Sequence, residues 1–197
     1  MSLKHAILVL LENEPGSGYD LAQRFKSGIG HFWNAKHQQI YLELKKLHRD
    51  KWVAYEVEAQ AERPDKKIYR ITRAGQKALK EWFRQPVKPP SVNDALLVKI
   101  FGGHLADRTG LVAEIEQHIE RYQGRLDEYR QLEQGFFDQD ETTRRRYRLP
   151  YLTLRRGIRY VKGTLEWLEE AKVLLAKDGL PDKPLLSTGS RVKSAKR

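Results

Sequence analysis

The stretch from Trp33 to Trp52, WNAKHQQIYLELKKLHRDKW, limits what this chain can fold into more than any other. At 3.6 residues per turn Ile40, Leu44 and Leu47 stack on one side, which marks the buried back of a helix. Ala35, Gln38, Gln39, Leu42, Lys45, Lys46 and Arg49 fall on the other side. A front of amides and cations suits a DNA groove, because amides pair with base edges and Lys and Arg with phosphates. The same front suits a solvated surface helix, since charged outer faces are ordinary. The neighbouring segments decide between the two.

Residues 3–12 form a short apolar helix that Pro15-Gly16 ends, and Ser17 or Gly18 caps a second helix, GYDLAQRFKSGIG. The third helix spans roughly 35 to 50. Residues 52–58 and 67–71 then alternate as strands around the polar turn QAERPDKK, which makes a hairpin. Thr72 caps a fourth helix, with Leu79 and Trp82-Phe83 pointing inward. Helix, helix, helix, hairpin, helix is the order of a winged helix-turn-helix. The third helix is its groove reader and the hairpin its wing, with Arg63, Lys66 and Lys67 at the tip for phosphates or a minor groove.

Gln85 to Ser91 is Pro-rich and reads as a linker. A helix starting at Ser91 or Asn93 has Leu96, Leu97, Ile100 and Phe101 on one face, apolar enough to be buried. Two long helices follow, the first capped by Asp107 and the second regular from about Pro150, with Gly135 to Glu141 as connector. Apolar residues recur in steps of three and four. They include Ile115, Ile119, Tyr122 and Leu126 on the first helix, and Leu154, Ile158, Val161, Leu165 and Leu168 on the second. These are the candidate dimerisation residues: flanks such as Val112, Phe137 and Trp167 stay apolar after the helices pair, and a second copy would cover them. An intramolecular hairpin is the alternative. The chain therefore reads as mainly α, with a winged-helix domain over 1–85, a linker over 86–92 and a long-helix dimerisation and effector domain over 93–178. Residues 179–197 lose periodicity and read as a basic disordered tail.

The net charge of +11 invites an acidic partner. Residues 1–85 hold 16 Lys+Arg against 10 Asp+Glu, residues 86–180 hold 16 against 15, and residues 181–197 hold 5 against 1. The excess sits in the winged helix and the tail, which favours double-stranded DNA as partner; a dimer would bind a palindromic operator. There is no 18-residue apolar run and no signal-peptide pattern, so no membrane partner and a cytoplasmic home are expected. With no cysteine, and six histidines without HExxH spacing, no metal site or cofactor is expected. No GxSxG, P-loop or dinucleotide fingerprint points to an enzyme. Aromatic and basic residues at Phe32, Trp33, Phe101, Tyr151 and Arg155 would suit a flat aromatic anion, if the fold gathers them; packing is the alternative for each.

GYDLAQRF, FWNAKHQQIYLELKKLHRDKWV and RPDKKIYRITRAGQKALKEW resemble the PadR family of bacterial transcriptional regulators. LLVKIFGGH and YLTLRRGIRYVKGTLEWLEEA resemble its longer members, whose C-terminal helical domain is of the virulence-activator type. The resemblance covers about residues 3 to 175. It implies a winged helix dimerised through its C-terminal helices, usually a repressor released by a small molecule such as a phenolic acid. Carried over by position, the reader residues are His37, Gln38, Gln39, Tyr41 and Lys45, and the wing residues Arg63, Lys66 and Lys67. Lys51-Trp52 departs from the family's small or glycine residue followed by an aliphatic one, at the turn after the reader helix. A protein-interaction module that uses the winged helix only as scaffold is the second functional reading.

Overall fold

Apolar residues at helical spacing make Leu3–Asn13 a helix, α1, whose His5, Ile7, Leu8 and Leu11 are buried. The computed structural model describes residues 3–28, 35–59, 65–89 and 93–178. It divides into two units, Met1–Pro90 and Ser91–Arg197.

In the first unit α2 (Gly18–Ser27) and α3 (His37–Arg49) follow α1, then strands β1 (Val53–Glu58) and β2 (Lys66–Ile71), then α4 (Arg73–Phe83). The strands pair antiparallel, Val53 opposite Ile71 and Glu58 opposite Lys66. Gly16 adds an isolated bridge to the hairpin, because its N–H and carbonyl both bond to Tyr69 (3.1 and 2.9 Å). The wing is thereby tied to the turn between α1 and α2. One core holds the unit together: Ile7, Leu8, Leu21, Ile40, Leu44 and Leu47 are at most 1% exposed. Burying each such side chain is worth about 1.5–3 kcal/mol. The unit is a winged helix. Phe83 departs from expectation: it is 66% exposed, and only Leu79 and Trp82 of the named α4 residues turn inward.

In the second unit Asp94 caps α5 (Ala95–Phe101), and a 3-10 turn, Gly103–Leu105, leads to α6 (Arg108–Phe137) and α7 (Glu141–Asp178). α6 and α7 pack as a hairpin. One cluster joins Leu96, Leu111, Ile115, Ile119 and Leu168, and another joins Leu126, Tyr129, Ile158 and Val161. Three expectations are corrected here. α5 keeps only Leu96 buried, while Leu97, Val98 and Phe101 are exposed. The connector is Asp138–Asp140 alone, since α6 runs on through Gly135. Pro150 lies well inside α7, not in its first turn. A proline there removes a backbone bond and costs about 3 kcal/mol in a helix interior. The helix forms upstream of it all the same, because Asp140 accepts from the Thr143 N–H (2.9 Å) and so caps a start ten residues earlier. Glu141 then pairs with Arg144 and Arg145 (3.2 and 3.0 Å) in the first turn.

Candidate nucleic-acid interface

Helix α2 begins with a reciprocal cap. Asp20 N–H donates to the Ser17 hydroxyl (3.2 Å), and Ser17 N–H donates to the Asp20 carboxylate (2.9 Å). Lys66 of β2 closes on the same carboxylate (3.1 Å). The Ser17 amide first, and then Lys66, hold the Asp20 carboxyl below its ordinary range. Lys66 thus opens β2 and binds the wing to α2. Tyr41 lies over Gly18, where a Cβ would stand 2.3 Å from the ring. That close approach sets the spacing of α2 and α3, so Tyr41 positions the reader helix although its side chain stays 43% exposed.

Helix α3 shows the two faces expected. Ile40, Leu44 and Leu47 are buried, while His37, Gln38, Gln39, Lys45, Lys46 and Arg49 are exposed. Gln39 differs from Gln38. Its side-chain oxygen accepts the Lys36 N–H (2.9 Å) and so caps the helix start. Reading an adenine uses both ends of an amide, so Gln38 is the amide left whole. Lys46 pairs with Glu43 (3.3 Å), an acid that belongs to the edge of the front. Lys45 has no carboxylate partner among the described residues. Leu42 is 57% exposed in the middle of the polar front, an apolar surface without core contacts.

The turn after α3 is a Schellman motif. Trp52 N–H bonds to the Leu47 carbonyl (2.9 Å) and Lys51 N–H to that of His48 (3.0 Å). Lys51 takes φ 61°, the left-handed region where glycine fits best. The departure at Lys51-Trp52 is therefore accommodated by strain at one residue. The Thr72 hydroxyl secures the turn from the far side by donating to the Lys51 carbonyl (2.7 Å), and Gly75 is forced, since a Cβ there would meet the Trp52 oxygen at 2.2 Å. On the wing Lys67 lies over the Tyr55 ring (4.5 Å) and stays exposed. Arg63 and the tip, 60–64, lie outside the described residues.

Of the expected effector residues, Phe101 stands apart from Tyr151 and Arg155 among the described residues. Phe32 and Trp33 lie outside the described residues. Phe101 sits on α5, which packs at the Leu111 and Leu168 end of the hairpin. Tyr151 sits near the other end, stacked on Phe136 at 4.1 Å, donating to Glu133 (2.9 Å) and accepting from Arg155 (3.4 Å). Seventeen residues of α7 from Tyr151 to Leu168 span about 25 Å at 1.5 Å each. An open groove of about 610 Å³ lies at the α5 end, lined in part by Val98, Leu105, Leu111 and the Lys99–Glu114 ion pair (2.7 Å). The expected dimerisation residues also sit differently. Ile115, Ile119, Leu126, Ile158, Val161 and Leu168 are buried, and Tyr122, Leu154 and Leu165 are partly buried, all against each other across α6 and α7. The seam closes within the chain, and the apolar surface left over lies elsewhere. Among the described residues no cluster of three His, Cys, Asp or Glu could hold a metal, and no helix is long and apolar enough to cross a membrane.

Two family models match the chain. The PadR-like family of transcriptional regulators matches residues 7–81, and the virulence activator alpha C-terminal family matches residues 92–176. A probable transcriptional regulator of Mycobacterium tuberculosis is 37% identical over 181 residues, which covers 86% of this chain and 95% of that protein. The negative transcriptional regulator PadR of Bacillus subtilis is 30% identical over 184 residues, covering 89% and 98%. The chain belongs to the PadR-like family. Its fold matches B. subtilis PadR solved with operator DNA at a TM-score of 0.72, with 28% identity over 88% of this chain and 98% of that one. The same PadR protein solved with p-coumaric acid matches at 0.69, with 28% identity over 89% and 96%. The virulence activator AphA of Vibrio cholerae matches at 0.71, with 30% identity over 89% and 98%. PadR-like proteins are transcriptional regulators, not enzymes, and this chain is one of them.

Proposed function

We propose that this regulator is a cytoplasmic homodimer that binds a palindromic operator through α3 and the wing, represses transcription, and is released by a small aromatic anion of the phenolic-acid kind. The observation that carries the DNA reading is the front of α3. Gln38, Leu42, Lys45 and Arg49 share one exposed stripe. Gln38 suits an adenine edge, Leu42 a thymine methyl, and Lys45 and Arg49 phosphates. His37, Gln39, Tyr41 and Lys46 flank that stripe, Lys67 extends it on the wing, and Arg63 is proposed as a further phosphate contact. The relatives support repression and release, since B. subtilis PadR is a negative regulator solved with operator DNA and with p-coumaric acid.

The dimer is supported by what the hairpin leaves uncovered. Val98, Phe101 and Leu105 are 71%, 73% and 83% exposed on and beside α5. Such a patch marks an interaction surface, and a two-fold dimer presents one reader helix to each half of a palindrome. A phenolic effector is placed by this reading at a site completed by two copies, because one copy keeps Phe101 and Tyr151 apart. The test is a gel shift on the promoter of the protein's own gene and its neighbours, titrated with p-coumaric and related acids. A shift that the acids reverse is expected. No duplex binding at low salt contradicts the reading and favours the protein-interaction module.

A further inference from the structure

Between residues 144 and 162, α7 carries seven arginines and one lysine and no Asp or Glu. At about 100° per residue, Arg144, Arg148, Arg155, Arg159 and Lys162 fall within an arc of about 60°. The centre of the arc lies about 70° around the helix from the buried Ile158 and about 130° from the buried Val161. Arg148, Arg159 and Lys162 are exposed, and none has a carboxylate partner among the described residues. Arg144 is paired to Glu141, and Arg155 to the Tyr151 hydroxyl. The stripe is about 27 Å long, at 1.5 Å per residue.

We propose that this stripe is a second DNA contact, a track that binds the phosphate backbone of duplex outside the bases read by α3. The inference rests on the DNA reading above. Three observations favour a nucleic-acid backbone. The first is sign: a run of eight cations without an acid fits a partner of dense negative charge, and duplex DNA carries one phosphate charge per about 1.7 Å of axis. The second is residue type, since seven of the eight are arginine, whose planar fork matches phosphate oxygens in pairs. The third is length: the stripe runs about 27 Å, and a duplex lines a track of that length with phosphates throughout. The same helix turns acidic at Glu166, Glu169 and Glu170, and residues 107–141 hold ten acids, so a second copy is the competing partner, which the sedimentation readout below tells apart.

The triple variant R148Q/R159Q/K162Q in the full-length protein tests this by fluorescence anisotropy on a 40-base-pair duplex centred on the bound promoter site. The salt dependence of log K is expected to flatten by up to about 0.9 for each phosphate contact removed. The loss should appear equally on a scrambled duplex, with the preference for the promoter site unchanged. These side chains are exposed, so an unchanged circular dichroism melt is expected. An unchanged salt slope overturns the inference. A changed sedimentation coefficient with an unchanged slope also overturns it, and assigns the stripe to contacts between copies. Lys45→Ala, measured beside it, separates this inference from the DNA reading. If Lys45→Ala weakens binding and the triple variant does not, only the α7 track is lost. A wild type that holds no duplex at low salt removes both.

Discussion

Among the described residues the winged-helix unit buries twelve apolar residues and exposes six large ones, whereas the helical unit buries nine and exposes twelve. The geometry explains the difference. Four helices and a hairpin surround a common centre, so α1, α2, α3 and β1 each contribute side chains that are at most 2% exposed. Two long helices and one short one share only a seam, which leaves three sides of each long helix in solvent. The first unit is complete as it stands. The second leaves Val98, Phe101 and Leu105 uncovered beside α5, the surface that the proposed dimer would bury.

The contrast predicts its own largest effect. Leu44→Ala, at 0% exposure in the winged-helix core, should cost about 2–5 kcal/mol and abolish duplex binding, as read by urea unfolding and gel shift. If stability is unchanged, that core is not the closed one described. Next in size, Phe101→Ser should weaken self-association tenfold or more, or about 1.4 kcal/mol, in sedimentation equilibrium, and leave unfolding of a monomer nearly unchanged. Unchanged self-association would mean that Phe101 serves no partner. A smaller gain is expected from Lys51→Gly, about 0.4–1 kcal/mol in stability, because glycine removes the left-handed strain at φ 61°.

The smallest effect is pH-dependent and confined to the winged-helix unit. His5 is 8% exposed and stacked on Trp82 at 4.4 Å, and burial first, with Lys4 adding to it, lowers its pKa from 6.5. The folded state therefore favours neutral His5, and the unfolded chain binds the proton more readily. Stability should fall as pH drops through about 6.5 and level off below the lowered pKa. Trp52 and Trp82 fluorescence would follow the loss, and His5→Phe should remove it. An acid response that survives His5→Phe would place the titrating group elsewhere.

Much of the winged helix was legible in the chain because local patterns and tertiary packing agree there. The Ile40, Leu44 and Leu47 back of α3, the Ser17 and Thr72 caps and the strand alternation all formed as read. What sequence reading missed were pairings between distant segments. β2 brings Lys66 to Asp20, and Gln39 turns back to the Lys36 amide. A Ser-x-x-Asp capping signature was present at Ser17, but no local signal points to the lysine. In the helical unit, averaging charge over 86–180 concealed opposite signs. Residues 107–141 hold ten acids against four arginines, and α7 then turns basic. Pro150 misled because proline is common in first turns, and the stronger cap at Asp140 lies upstream.

The central claim is that α3 reads bases with Gln38 while Gln39 serves the helix. It is tested most directly by titrating Gln38→Ala and Gln39→Ala against the bound promoter duplex and a scrambled duplex of equal length. Gln38→Ala should cost about 1–3 kcal/mol on the promoter site and little on the scrambled one. Gln39→Ala should weaken both alike and lower the melting temperature. An equal loss on both duplexes for Gln38→Ala would contradict the claim.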